Sequence, residues 1–423
     1  MKPIILLIFT TLLTWANGSF YDLYAHNRAT HKPNLITADF IASAYSHYKL
    51  NREQKIEEEV LKPRVLNFVN YLYQGVIEIK LAQKEQAVAY TGTLSLLAKN
   101  GMNLIVPDGY EHLASRIQQE AQFVTSANQI ALSPVMGVNI DYRQFKVPQK
   151  YSNNQAYYRV MKYAQTIQFN KPLANKIRTT IKASERLSNL EQHIKDILEQ
   201  FIGVEQKSNT LLSTYRGLDY YIFAKSKKPS VKSIIKAITI DPIIQKHLLN
   251  LYSSYDYDFK IMQTLIDSGH INAFKGYYTQ SQYRNLLYRK VFKTKGVHQD
   301  TRQHANIELK LTKTLSVMIE ESLLFANTIK KNKIDKNMIT TLKELRKIAQ
   351  KKSMQIAFSK EDIKFLNNLD LIFLELTGVK DRPISIKVTN RLTEKLLAPK
   401  MVRFGSQKKN NFSFGGRFVH KEL

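Results

Sequence analysis

Turn-forming residues are scarce in this chain: fifteen glycines and eleven prolines in 423 residues. A β-sandwich or barrel needs a turn about every 8–12 residues, and glycine and proline serve many of those turns. Their scarcity, with 43% hydrophobic residues, predicts an all-α, predominantly helical fold: a multi-helix array joined by long ordered loops. There is no cysteine. The core must therefore hold without disulfides, and a thiol nucleophile, a thiolate metal site and a lipidated-cysteine anchor are excluded.

The amino terminus reads as a signal peptide over residues 1–18. Lys2 is the only charge before Asp22, Ile4 to Trp15 is a short apolar run, and Ala16-Asn17-Gly18 offers small residues for cleavage. The run is too short for a bilayer core, which takes roughly 20 residues. No later stretch is apolar enough to span. The mature chain is expected to begin at Ser19 and to be soluble or peripherally attached, in the periplasm or outside the cell.

Residues 19–378 read as one helical domain, with a subdivision near the basic segment 225–230 (KSKKPS). Thr37 is placed to cap a helix that carries Asp39 in its first turn. A helix over 53–81 is interrupted near Pro63, and others are expected at 83–99, 110–126, 153–167 and 173–201. Residues 133–151, with proline, glycine and asparagine interspersed, read as an ordered loop. Long helices follow at 301–330 and 335–357. A capping box at Ser359 then opens a helix whose buried stripe is Ile363, Leu366, Leu369, Ile372, Phe373 and Leu376. Residues 379–423 form a basic, aromatic tail with eleven Lys and Arg against three acids. A short strand is expected near 384–388, and the rest reads as a poorly ordered end or a tail that docks on a polyanion.

The formal net charge is +28. A basic surface attracts polyanions. Export selects an anionic envelope polymer or lipid headgroups as partners and disfavours nucleic acid. The charge is spread along the chain, which equally suits compositional drift. Nothing in the sequence sets an oligomeric state.

No phosphate-binding glycine loop, nucleophile elbow or paired-carboxylate setting is present, so no enzyme class follows. His298, His304 and Glu308 are the one cluster of metal-ligand types. His304 and Glu308 stand four apart, the spacing of one helix face, but the paired histidines of a zinc helix are missing. A solvated face is the expectation, with no metal and no cofactor. Asp141, Tyr142, Gln144 and Phe145 (DYRQF) sit in the ordered loop, either as a binding group or as a packed turn with Asp141 capping it. Tyr158 and Met161 lie on one face of 155–165, with Arg159 as a surface or ion-pairing group; Arg302 has the same two readings.

With these segments laid out, the chain resembles the family catalogued as domain of unknown function 3160. The resemblance is carried by NLITADFIASAY (34–45), SPVMGVNIDYRQFKVPQKYS (133–152), QAYYRVMKYAQTIQF (155–169) and GVHQDTRQHANIELK (296–310), with the helical pair at 335–378 after them. It implies a large, mostly helical and usually exported protein of bacteria or archaea, and it brings no activity with it. Asp39, Tyr45, Asp141, Tyr142, Gln144, Phe145, Arg159 and Arg302 match the family pattern and are the candidate binding positions. Other positions depart from it. Ser43-Ala44-Tyr45-Ser46 stands for His-Ala-Tyr-His, Lys150 for a histidine, and Tyr163 for a tryptophan. Gln165-Thr166 replaces Gly-Arg, and Arg302-Gln303-His304 replaces Arg-His-Asp. The expected function is an exported, envelope-associated binding protein. The alternative is a hydrolase of envelope glycan or peptide, with Asp39, Asp141 and Arg302 in one pocket.

Overall fold

The computed structural model describes residues 19–99, 104–201, 204–206, 209–216, 257–284, 306–329, 332–377, 384–387, 393–406 and 411–422. The chain divides into two compact units, residues 1–55 with 217–423, and residues 56–216. Helices dominate both, as the scarcity of turn-formers predicts. The leader expected at 1–18 and the basic segment 225–230 lie outside the described residues.

The first unit opens with α1 (Phe20–Ala29), β1 (Leu35–Ile36) and α2 (Ala38–Ile56). Ser19 and Asp22 form a reciprocal capping box on α1. Thr37 caps α2, accepting the Phe40 N–H at 3.2 Å. Phe20, Tyr21 and Tyr24 pack on Phe40 with ring centroids 5.7, 5.7 and 4.6 Å away. Almost every side of α2 is buried, including Lys49, Arg52 and Glu53. A helix buried all round should be apolar all round, so those three charges need partners.

The second unit follows a π-helical turn at Glu57–Leu61. This is the predicted interruption: Pro63 cannot donate to the preceding turn, and α3 (Lys62–Glu78) starts with it in its first turn. The centre of the unit is α4 (Glu85–Ala98), buried continuously from Ala87 to Leu97. Gly92 lets its neighbours close in: a Cβ there would stand 2.9 Å from Ile117 and 3.3 Å from Tyr73. Next come α5 (Ala114–Ser126) and an antiparallel hairpin of β2 (Ile130–Leu132) and β3 (Asn139–Asp141). The predicted ordered loop is thus this hairpin plus 3-10 turns at Tyr142–Phe145 and Gln149–Asn154. Gly137 takes φ +69° at the hairpin turn, which favours glycine. The unit ends with α6 (Gln155–Thr166), α7 (Lys171–Ala183), α8 (Glu185–Phe201), β4 (Val204–Gln206) and β5 (Thr214–Arg216). Residues 173–201 are two helices rather than the predicted one, because Ser184 between them is extended.

The first unit resumes with α9 (Tyr257–Asp267), α10 (Ile271–Arg284), β6 (Asn306–Ile307), α11 (Thr312–Thr328), α12 (Lys333–Ser353), α13 (Lys360–Asn367) and α14 (Leu369–Thr377). The helix expected from 301 starts only at Thr312 among the described residues, because Asn306 and Ile307 pair in parallel with β1. The Ser359 capping box forms as predicted. The helix it opens breaks at Asn368, so the stripe is shared between α13 and α14. The described residues of the tail, expected as a poorly ordered end or a docking tail, are strands. The predicted strand is β7 (Ile384–Lys387), and β8 (Thr393–Ser406) and β9 (Asn411–Glu422) complete a three-stranded antiparallel sheet. Its register shifts between Leu397 and Lys400, across Pro399, which has no N–H for the ladder. On β9, Phe418 is buried against Gly276 of α10, where a Cβ would overlap its ring.

No helix among the described residues is long and apolar enough to cross a membrane. Among those residues, no group of three or more His, Cys, Asp or Glu is placed to hold a metal ion.

Candidate functional site

The second unit is organised around a carboxyl where the helix pattern calls for a hydrocarbon. The buried face of α5 runs Ile117, Glu120, Ala121, Val124, the i, i+3, i+4, i+7 stripe of a core helix. Glu120 is fully buried. It accepts hydrogen bonds from the Ser133 hydroxyl at 2.5 Å, the Tyr142 hydroxyl at 2.9 Å and the Tyr163 hydroxyl at 3.0 Å. Among the described residues no cation reaches it. Three separate stretches of chain, at the hairpin, the 3-10 turn after it and α6, therefore meet on one side chain. Burial first, and then the Glu120 charge, push the Tyr142 and Tyr163 phenols well above their ordinary value, so both stay protonated donors.

Beside this hub lies a cleft of about 860 Å³, a size typical of small-molecule sites. Leu96 and Leu97 of α4 and Leu104 supply apolar surface. Gln118, Gln122, Thr125 and Ser126 of α5 supply amides and hydroxyls, as do Ser152, Asn153 and Gln155 around the start of α6. Arg159, one turn into α6, is the single charged group among the described residues lining it. Among the described residues its one hydrogen bond is long, 3.5 Å from Nη2 to the Thr125 carbonyl, and its buried Nε meets no acceptor. Burial pulls the guanidinium below its ordinary value, and among the described residues no carboxylate offsets that. The N-cap residue Asn154 makes no side-chain capping bond to α6. It accepts from Lys62 at 2.6 Å instead. The positive end of the helix dipole and the guanidinium thus share one cleft.

The predicted loop residues take distinct places around it. Asp141 is half-exposed, caps the 3-10 turn through the Arg143 N–H at 3.1 Å, and binds the Arg143 guanidinium twice at 2.8 Å. Hydrogen bonding from Arg143 holds its carboxyl below the usual value. Tyr142 and Phe145 are buried anchors of that turn, and Gln144 is exposed. The structure brings Tyr142 and Arg159 to the hub and the cleft. It leaves Asp141 and Gln144 on the surface.

Asp39 and Tyr45 belong to the first unit and Arg302 lies outside the described residues. Asp39 accepts the Arg417 Nη1 at 2.7 Å and the Phe418 N–H at 2.8 Å. Arg417 also binds Glu308, which accepts the Ala38 N–H at 2.8 Å. The Glu308 carboxylate is therefore committed to α2 and β9. His298 and His304 lie outside the described residues. Burial pushes the Asp39 carboxyl from 3.8 to about 6, although the guanidinium and the N–H pull the other way. A carboxyl raised on folding adds stability that is complete below its unfolded value and is lost as pH rises through the folded one. We expect the Asp39 contribution to fall by about 2–3 kcal/mol between pH 4 and pH 7. Denaturant melts across that window should show a flatter profile for Asp39→Asn; superimposable profiles would refute the assignment.

Tyr45 enters a buried ionic cluster that sequence reasoning missed. Its hydroxyl donates to Glu321 at 2.9 Å. Lys49 binds Glu321, lies 3.0 Å from Asp258, and stands 3.7 Å from Glu53. Nearby, the Tyr48 hydroxyl donates to Asp335 at 2.8 Å, with Arg52 3.4 Å away. Desolvation raises the Glu321 carboxyl and Lys49 opposes it. The signal was present in α2: Lys49, Arg52 and Glu53 stand at i, i+3 and i+4, so three charges share one face of a helix that is buried on almost every side.

Neither a curated protein nor a solved structure matches this chain. A family model matches residues 9–222, which include the blocks 34–45, 133–152 and 155–169 and the whole of the second unit. The blocks at 296–310 and 335–378 lie beyond the match. Half of the chain is covered, and it belongs to the family described as protein of unknown function (DUF3160).

Proposed function

We propose that the chain is an exported binding protein whose second-unit cleft takes an anionic, hydroxyl-rich ligand of the cell envelope, such as an acidic glycan. The observation that carries this reading is Arg159. A guanidinium partly withdrawn from water, with a buried Nε and no carboxylate partner among the described residues, is costly until an anion arrives. The amides and hydroxyls around it suit sugar hydroxyls, and the leucines suit the apolar face of a sugar ring. Glycan hydrolysis works through a pair of carboxyl groups flanking the bond. The described residues lining the cleft contain none, which favours binding over cleavage. Export is supported by the leader pattern at 1–18. Cleavage after Gly18 would leave the new ammonium at the Ser19 nitrogen, 2.9 Å from the Asp22 carboxylate.

The test is calorimetric titration of the exported chain, whose first residue should be Ser19, with a uronic-acid oligosaccharide and its neutral counterpart. The acidic sugar should bind, more weakly as salt rises, and Arg159→Gln should weaken it about tenfold to a hundredfold. Equal affinity for both sugars, or an Arg159→Gln variant that binds like the parent, removes the reading.

A further inference from the structure

The first unit carries a second charged surface, independent of the cleft. At 100° per residue, Lys336, Lys343 and Lys347 fall on one stripe of α12, and Met354, which caps its C-terminal end, continues that line. All four are exposed. Thr340 and Gln350, exposed between them, carry no charge. The stripe runs off the end of the helix into a corner where Ser353 to Ala357 are all exposed. Met354 is 68% exposed and Ile356 51%. Gln355 between them has φ +58°, which turns the chain sharply. The acids near this face are few: Glu344 pairs with Lys347 at 3.1 Å, and Asp362 is buried and binds Lys351 at 2.6 Å. Glu361 is exposed, beside Lys360 and Lys364.

We infer that α12 and the corner after it dock on an anionic lipid bilayer. Charge complementarity selects an anionic partner, since three lysines on one line face outward from a chain of net charge +28. The two large apolar side chains at the end of that line select a bilayer over a soluble polymer. A polymer offers them nothing to enter, whereas the headgroup boundary accepts an apolar tip ringed by lysines. The helix lies along the surface, its lysines at the phosphates, and Met354 and Ile356 enter the acyl boundary.

Vesicle flotation with the full chain tests this. Vesicles of phosphatidylcholine with three-tenths phosphatidylglycerol should bind it, and pure phosphatidylcholine should not. Lys336→Glu/Lys343→Glu/Lys347→Glu should lower the partition coefficient roughly a hundredfold. Met354→Ser/Ile356→Ser should keep the low-salt binding and lose what survives at high salt. These residues are exposed, and unchanged circular-dichroism melts would show both variants folded. Absence of binding to the anionic vesicles overturns the proposal, as does binding that neither variant alters. Complete competition by soluble polyphosphate, with the apolar double variant binding like the parent, would mark a polymer site and overturn the bilayer.

Discussion

Replacing Lys49 with methionine should destabilise the first unit by about 3–5 kcal/mol, read as a shift of its urea-unfolding midpoint. Lys49 is buried among Glu321, Asp258 and Glu53. The methionine fills similar space, so the loss is electrostatic. It leaves Glu321, which burial already disfavours in its charged form, beside two further carboxylates with the ammonium gone. Tyr45 and Tyr277 still donate to Glu321 and Asp258, the latter at 2.6 Å, but a hydroxyl dipole does not neutralise a charge. Adding Glu321→Gln to Lys49→Met should recover a large part of the loss, because it removes the charge that has become uncompensated. A Lys49→Met variant within about 1 kcal/mol of the parent would mean that water reaches this cluster.

Glu120→Leu should cost the second unit about 3–5 kcal/mol. Three buried hydroxyls lose their acceptor together, and each buried unsatisfied polar group costs about 1–3 kcal/mol. The relief of no longer burying a carboxyl offsets part of that sum. Glu120→Gln keeps one carbonyl acceptor and should cost about 1–2 kcal/mol. Tyr142→Phe and Tyr163→Phe each remove one donor and should cost about 1 kcal/mol. This ordering is the diagnostic, since a purely steric role for Glu120 would make leucine the milder change. The cleft should report the same substitution. Glu120 ties α5, the hairpin and α6 together, and two of those elements carry the polar lining and Arg159. Affinity at the cleft should therefore fall in Glu120→Leu although the side chain does not line it.

Helices were legible where a local rule wrote them. Thr37 and Ser359 announce their caps, Pro63 announces its interruption, and α12 follows its apolar period. What was not legible depended on distant partners. Asn306 and Ile307 continue a helical-looking sequence, but Leu35 and Ile36 offer them a parallel strand. The tail has the lysines and glycines of a loose end, yet its three strands satisfy each other's backbone groups. The site divides the same way. Tyr142 and Arg159 were named from the family pattern, and the structure gives both a place at the hub or cleft. Glu120 is hidden in the sequence because a single acid in a helical stretch reads as surface until its place on the apolar stripe is counted. Asp39 reads from the family pattern as a binding acid. Its partners stand 378 and 379 residues away in sequence, beyond any local rule.

That separation sets an order in time. Asp39 and Phe40 leave the ribosome well before Arg417 and Phe418, which follow the whole of the second unit. Until then the opening helices lack the strand that covers Phe20 at 5.1 Å and closes over Asp39. The second unit is one continuous stretch of chain and can mature while synthesis proceeds. The first unit cannot reach its final form before Arg417 and Phe418 have emerged, so its early segment remains an unfinished clasp until that strand arrives.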